Sequence, residues 1–299
     1  MTLHRRSLLR SSVAAAGLLA TQRSQDDTKS VGVSESDRPF GPQSQTRFAA
    51  NIEMWWRGIP FLERIDAAAA LGFPAVEFWP FHNKDIDAVA ERAKAAGVVI
   101  AQFTAWGFRP GMNEVKNHAA FEAKIKEACG VAKRMDCKLA TVVGGNDVAG
   151  VSQTQMHENI IAALKRVAPI AEDNDITLIL EPMNIRVDHK GHCLYGSPDA
   201  VRICREVDST HVKINWDLYH MQISEGDLCG RLAEGFDQVG YLQLADHPGR
   251  REPGTGEIHY ARVLRQAHDL GYRGFVGVEC YPSEAPLKSA RRMAAAVRW

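Results

Sequence analysis

A single (β/α)8 barrel is the fold this sequence predicts, and three observations predict it. From Arg47 onward, short runs with the period-2 pattern of strands alternate eight times with longer runs of helical period. The alternation fills about 250 residues, the usual size of such a barrel. An open doubly wound sheet alternates in the same way, but its first strand would lead into a Gly-rich phosphate turn, and "NIEMWWRGIP" holds none.

The elements follow in order. "RFAANIEMW" reads as the first strand, and "PFLERIDAAAALG" as a helix closed by Gly72. "AVEFWPF" and "DIDAVAERAKAAG" repeat the pair, with Gly97 as the stop, because glycine takes the left-handed conformation at a helix end without a side-chain clash. "VVIAQFTAW" precedes a loop and "HAAFEAKIKEACGVAKRMDC"; "LATVVGG" precedes "SQTQMHENIIAALKRVAPIAEDND". "TLILEPM" is an apolar run that ends on Glu181 and Pro182. The helix after it, "SPDAVRICREVD", carries Ser197 as the expected N-cap ahead of Pro198. "HVKINWD" leads to "DLCGRLAEGFDQV", "YLQLAD" to "HYARVLRQAHDLG", and "GFVGVECYP" to "PLKSARRMAAAVRW".

Residues 1–25 differ from the rest. Arg5-Arg6 and the short, mildly apolar run in "HRRSLLRSSVAAAGLLA" read as a twin-arginine export signal, since the run is too short to span a membrane. That predicts a periplasmic or otherwise exported protein. Residues 26–46 are polar and rich in Gly, Pro and Ser, and read as a flexible linker; residues 47–299 form the barrel. Lys plus Arg and Asp plus Glu balance at 36 each, so no global field gathers nucleic acid or an anionic membrane. The six cysteines include no C-x-x-C pair, so their spacing indicates neither zinc nor a disulfide framework. A small organic substrate is the partner class that fits, and self-association into a homo-oligomer stays open.

In a (β/α)8 barrel, chemistry gathers where strands end and βα loops begin. The last four strands deliver Glu181, Asp217, Gln243 and Glu279 to that rim, each about one strand–helix unit after the previous one. Three carboxylates converging without a cation would repel, and one would take up a proton. A divalent cation resolves the repulsion, and an oxygen-only donor set favours Mg2+ or Mn2+. Gly277, two residues before Glu279, leaves space beneath that carboxylate; Lys213 and Asn215 share the face of Asp217. His220, three residues after Asp217, is expected on a loop turning back over the mouth. Arg250, in "DHPGRREPGTGE", is a candidate clamp for an anionic or polyhydroxylated substrate. Glu257 in the same segment reads as a charge at a helix N-terminus. Near the first strands, Trp55, Trp56, Glu77, Trp79, His82, Phe103 and Trp106 crowd the other side. Glu77, His82 and Trp106 are taken as substrate-contact candidates; the other aromatics serve equally as packing.

The stretches "RFAANIEMWW", "PFLERIDAAAALGFPAVEFWPF", "NWDLYHMQISEGDL" and "QLADHPGRREPGTGEIHYARVLRQAHDLGYRGFVGVECYP" together resemble the hydroxypyruvate isomerase family of the xylose isomerase-like TIM barrel group. The resemblance spans residues 47–283. It implies one divalent ion on Glu181, Asp217, Gln243 and Glu279, with Glu181 and Glu279 as the paired proton donor and acceptor. Ketose 3-epimerases share the D-x-x-H of Asp217 and His220 but usually carry histidine where Gln243 stands. The segment "EPMNIRVDHKGHCLYGS" departs from the isomerase pattern in its loop. The chemistry expected is proton transfer between adjacent carbons of a small α-hydroxy carbonyl compound such as hydroxypyruvate or tartronate semialdehyde. A ketose 3-epimerase, a sugar lyase using His220 as acid, and a non-catalytic exported sugar-binding protein are the alternatives. An endonuclease of this fold would need further metal ligands and a basic DNA face.

Overall fold

The computed structural model describes residues 34–41 and 44–299. The expected export signal and residues 26–33 and 42–43 of the expected linker lie outside them. Eight parallel strands close into a barrel in chain order. They are β1 (Arg47–Asn51), β2 (Ala75–Phe78), β3 (Val99–Trp106), β4 (Leu139–Val143), β5 (Thr177–Glu181), β6 (Val212–Asp217), β7 (Val239–Leu244) and β8 (Phe275–Val278). Pairing of β1 with β8, through Phe48↔Val276 and Ala50↔Val278, completes the ring. The helices are α1 (Phe61–Ala70), α2 (Ile86–Ala96), α3 (His118–Arg134), α4 (Gln153–Asp173), α5 (Ser197–Val207), α6 (Leu218–Ser224), α7 (Leu228–Gly235), α8 (Tyr260–Asp269) and α9 (Pro286–Ala296).

Side-chain alternation along the strands sorts the core into two layers. Outward residues such as Phe48, Val76, Phe78, Ile214 and Val276 pack against the helices. Inward residues at one level, Ala49, Ala75, Ala101, Ile179 and Tyr241, fill the barrel itself, with small side chains on three adjacent strands. Above them the interior turns polar: Asn51, Glu77, Gln102, Thr141, Asn215 and Gln243 are all buried. A register shift between β2 and β3, where Val76 pairs with Ile100 but Glu77 with Gln102, inserts one extra residue and aims Gln102 inward beside Ala101.

Several local expectations are corrected. His220 does not lie on a loop: Asp217 caps α6 by accepting the Tyr219 N–H at 2.8 Å, and His220 sits inside that helix, fully buried. The short α6 was not foreseen, because seven residues hold too little period to read. Ser197 is the first residue of α5 rather than its N-cap; Gly196 precedes it at φ +86°, and the Glu225 carboxylate accepts the Ser197 N–H at 3.1 Å. Glu257 lies ahead of α8 and accepts from Gln222 at 3.2 Å, while the His259 side chain caps that helix. Within the segment read as linker, Phe40 is buried, 4.3 Å from the Phe73 ring and 5.4 Å from that of Phe48. Gly72 follows α1 at φ +84°, and a Cβ there would meet the Phe40 carbonyl oxygen at 1.6 Å, so only glycine lets Phe40 dock. Among the described residues no helix is long and apolar enough to cross a membrane.

Candidate active site

Strands β5, β6, β7 and β8 bring Glu181, Asp217, Gln243 and Glu279 to one end of the barrel, and all four are buried. Their register is direct: Asp217 pairs with Gln243 across β6 and β7, and Gln243 with Gly277 across β7 and β8. Arg250, on the loop after β7, supplies the countercharge. Its Nη2 donates to Glu279 Oε1 at 2.7 Å and lies 3.8 Å from Asp217 Oδ2; its Nη1 is 3.8 Å from Asp188. One guanidinium thus faces three carboxylates. Asp217 Oδ2 is buried without a hydrogen-bond partner, and among the described residues no group donates to the Glu181 carboxylate.

The electrostatics follow from that imbalance. Burial, then the charges of Glu279 and Asp217, push Glu181 well above the usual carboxylate range. Burial raises Glu279 to about 8 against the opposing pull of Arg250, and raises Asp217 to about 6. Burial alone would lower the pKa of Arg250, but Glu279, Asp217 and Asp188 together hold it above its ordinary value, so the guanidinium stays charged. Glu181, Asp217 and His220 each present an atom able to bind a metal, all within 4.8 Å of one another. Unpaired carboxylate oxygens in a buried anionic cup are the donor set a hard divalent cation takes.

Beneath this cup lies a hydrogen-bonded floor. Glu77, fully buried, accepts from Asn51 at 3.1 Å, Gln102 at 3.2 Å, Tyr241 at 2.8 Å and Gln243 at 2.9 Å. Gln243 Nε2 also donates to Glu279, while its Oε1 accepts from Asn215 at 2.6 Å. The amide therefore turns its nitrogen to Glu279 and commits its oxygen to the floor. Glu77 thus lies below the rim as the acceptor of the floor and not among the groups facing the mouth.

The flank is built by the loop after β5 and by α6. Asn184 Nδ2 donates to His220 Nδ1 at 2.7 Å and to Asp188 Oδ2 at 2.7 Å, and the Tyr219 hydroxyl donates to Asp188 Oδ2 at 2.9 Å. His220 Nε2 lies 3.6 Å from Asp217 Oδ2 and 3.4 Å from Arg250 Nη2. Arg250 itself adopts φ +53°, a conformation that non-glycine residues keep only where the surroundings impose it. Its carbonyl oxygen accepts the Tyr281 N–H at 3.0 Å, and the loop around it is held by Asp246, whose buried carboxylate accepts the N–H groups of Gly254, Thr255 and Gly256 on one oxygen, and those of His247 and Ile258 on the other. That clasp folds the Gly-rich loop over the strand end.

His220 and Arg250 join the four rim residues; Trp106 does not, and among the described residues no contact links His82 to them. His82 is exposed on the segment after β2. Trp106 packs edge-on against Phe121 of α3, with ring centroids 5.2 Å apart, and belongs to the layer between barrel and helices. Asn184, Asp188 and Asp246 were missed. The signal for Asn184 and Asp188 was their position just past Glu181 in a loop that departs from the resembled pattern. For Asp246 it was an acid directly before a Gly-rich loop.

The model of the xylose isomerase-like TIM barrel family matches residues 65–298. A hydroxypyruvate isomerase of Escherichia coli is 32% identical over 256 residues, covering 81% of this chain and 97% of that protein. The chain belongs to the xylose isomerase-like TIM barrel family. A 2-oxo-tetronate isomerase of Cupriavidus necator is 33% identical, over 79% of this chain and 93% of the relative. Among solved structures, one from Brucella melitensis titled AP endonuclease, family 2, superposes with a TM-score of 0.78 at 28% identity, covering 84% of this chain and 98% of that one. Within its family the protein is an enzyme of the isomerase type that the first two relatives represent.

Proposed function

We propose that this family member interconverts small α-hydroxy carbonyl acids of the hydroxypyruvate and tartronate semialdehyde kind. The observation that carries the reading is the cluster of three buried carboxylates around one guanidinium at the strand ends, in a chain whose relatives are named for such isomerisations. The donor set fits a resident Mg2+ or Mn2+, because among the described residues no group donates to the Glu181 carboxylate or to Asp217 Oδ2. Glu181, Asp217 and Glu279 would hold it, with a substrate oxygen filling out the shell; Gln243 would join them only with its amide turned over, since its oxygen accepts from Asn215. When bound, the cation supplies positive charge to the substrate carbonyl oxygen and to the oxyanion that develops as the neighbouring C–H is lost.

The remaining work falls to the chain itself. Glu279 and Glu181 remove the proton from one carbon and return it to the next. In the metal-free protein burial holds both carboxyls above the usual carboxylate range, which favours their taking up a proton. Arg250 clamps the substrate carboxylate, since its planar fork matches two oxygens at once. His220 directs a ring nitrogen at a substrate oxygen. The floor under Gln243 keeps Glu279 aligned. The test is turnover of hydroxypyruvate by chelator-stripped protein, before and after Mn2+ is restored. Activity that needs Mn2+ and is lost in Glu279→Gln supports the reading; Mn2+-independent turnover, or full activity in Glu279→Gln, overturns it.

Arg5-Arg6 and the apolar run after it support twin-arginine export. Replacing both arginines with lysine is expected to trap the protein inside the cell, and unchanged localisation would refute the assignment.

A further inference from the structure

Asn184 carries more than packing. Its side-chain oxygen accepts the backbone N–H groups of Val187 at 2.9 Å and Asp188 at 3.1 Å, a local turn that leaves the amide no freedom to flip. Flipped, its NH2 would confront those two donors and its oxygen would confront the Asp188 carboxylate, which now accepts from Nδ2 at 2.7 Å. Three contacts therefore orient the amide, and its nitrogen points at His220 Nδ1 at 2.7 Å. A ring nitrogen that accepts a hydrogen bond carries no proton, so the imidazole hydrogen belongs on Nε2. The acceptor Asp217 Oδ2, which has no hydrogen-bond partner, lies 3.6 Å from that nitrogen. Arg250 Nη2, also a donor, is 3.4 Å from His220 Nε2, a much longer approach than the 2.7 Å Asn184 bond, and its short bond goes to Glu279 at 2.7 Å, so the Asn184 contact decides the tautomer.

We propose that Asn184 is a positioning residue that locks His220 in its Nε2–H tautomer, making His220 a hydrogen-bond donor to substrate and barring it from the metal shell. The second half follows from the first: Nδ1 is occupied by Asn184 and Nε2 bears a proton, so neither lone pair is free for a cation. The grouping of His220 with Glu181 and Asp217 then places a donor beside the ion rather than a ligand on it. A donor at that point would hold the substrate oxygen next to the reacting carbons, and an acceptor there would repel it. The tautomer rests on the geometry alone; its purpose in turnover rests on the isomerase reading above.

The experiment separates the two. Two-dimensional NMR of full-length, metal-free protein labelled with 15N-histidine reports which ring nitrogen of His220 is protonated, with His220→Gln identifying the signals. The wild type is expected to show Nε2–H, and added Mg2+ is expected to leave it in place. Asn184→Asp keeps an oxygen for the turn but presents an acceptor to Nδ1, so the proton should move to Nδ1. With Mn2+ restored and hydroxypyruvate as substrate, kcat/KM of Asn184→Asp should fall by at least about 10²-fold, since a wrongly protonated catalytic histidine costs as much as about 10⁴-fold in a serine protease. Asn184→Ala, which offers Nδ1 neither donor nor acceptor, should give a mixture and an intermediate rate. A wild-type Nδ1–H signal, loss of Nε2–H on Mg2+ binding, or an Asn184→Asp protein with the wild-type tautomer would each overturn the proposal. So would wild-type kcat/KM in an Asn184→Asp protein with its proton on Nδ1. The NMR result needs no turnover, so failure of the isomerase reading would show separately, as a wild type inactive on hydroxypyruvate.

Discussion

Glu77→Gln changes one atom at the centre of the floor, and its cost can be worked from the contacts. Glu77 Oε1 receives Asn51 and Gln243; Oε2 receives Tyr241 and Gln102. A glutamine there must turn its NH2 toward one of these pairs. On the Oε1 side both neighbours are committed donors: Asn51 Oδ1 accepts the Glu53 N–H, and Gln243 Oε1 accepts from Asn215. On the Oε2 side the Tyr241 hydroxyl rotates and accepts, but Gln102 stays a donor because its Oε1 accepts from Thr141 at 2.8 Å. The cheaper placement strands one buried donor, costing about 1–3 kcal/mol. The other contacts lose the strength that a charged acceptor gives, about 1 kcal/mol each. Releasing a carboxylate whose burial raises its proton affinity returns part of this. The expected net loss is about 2–4 kcal/mol. Urea unfolding of wild type and variant should show a lower midpoint at unchanged slope. A variant within about 0.5 kcal/mol of wild type would refute the view that Glu77 is the ionised acceptor of the floor.

Two further outcomes follow from the same site. In Gly277→Ala the new Cβ would stand 2.3 Å from Glu77 Oε2 and 2.8 Å from Gln243 Cγ, neither free to retreat, so calorimetry should record a lower Tm, from overpacking worth about 1–3 kcal/mol. In metal-free protein, Glu279 at about 8 and Asp217 at about 6 bind protons more tightly than in the unfolded chain. Their contribution to stability is therefore full at low pH, below the unfolded values near 4, and fades as pH rises through 6 and then 8. Thermal scans of chelator-treated protein should show Tm declining across that window, and saturating Mn2+ should flatten the decline by replacing the protons; a rising Tm without metal would contradict the assignment.

Much of the architecture was legible because it is periodic. Alternation of strand and helix patterns is a local property, and it located all eight strands with the rim residues at their ends. Glu181, Asp217, Gln243 and Glu279 could be picked because strand ends face one mouth in this fold, whatever the loops do. What escaped depends on loops and on depth. His220 was placed on a loop because α6 is too short to announce itself and is started by the Asp217 side chain. Glu77 read as a rim contact because strand period gives the direction of a side chain but not its level within the barrel. Asn184 acts through a backbone turn and through His220, 36 residues away, and Asp246 through a loop whose N–H groups lie up to 12 residues on, which no strand or helix pattern announces. Trp106 was chosen as an aromatic near the first strands, and neither type nor that position says which side of the barrel wall a side chain faces.

The central claim is that Glu181 and Glu279 move a proton between adjacent carbons of an α-hydroxy carbonyl acid. Its most direct test is solvent exchange in D2O with metal-restored protein, read by NMR of hydroxypyruvate and its isomer. The account predicts deuterium on the carbon next to the carbonyl in the wild type, and none in Glu279→Gln that still binds Mn2+. Isomerisation without deuterium entry in the wild type, or unchanged exchange in Glu279→Gln, would contradict it.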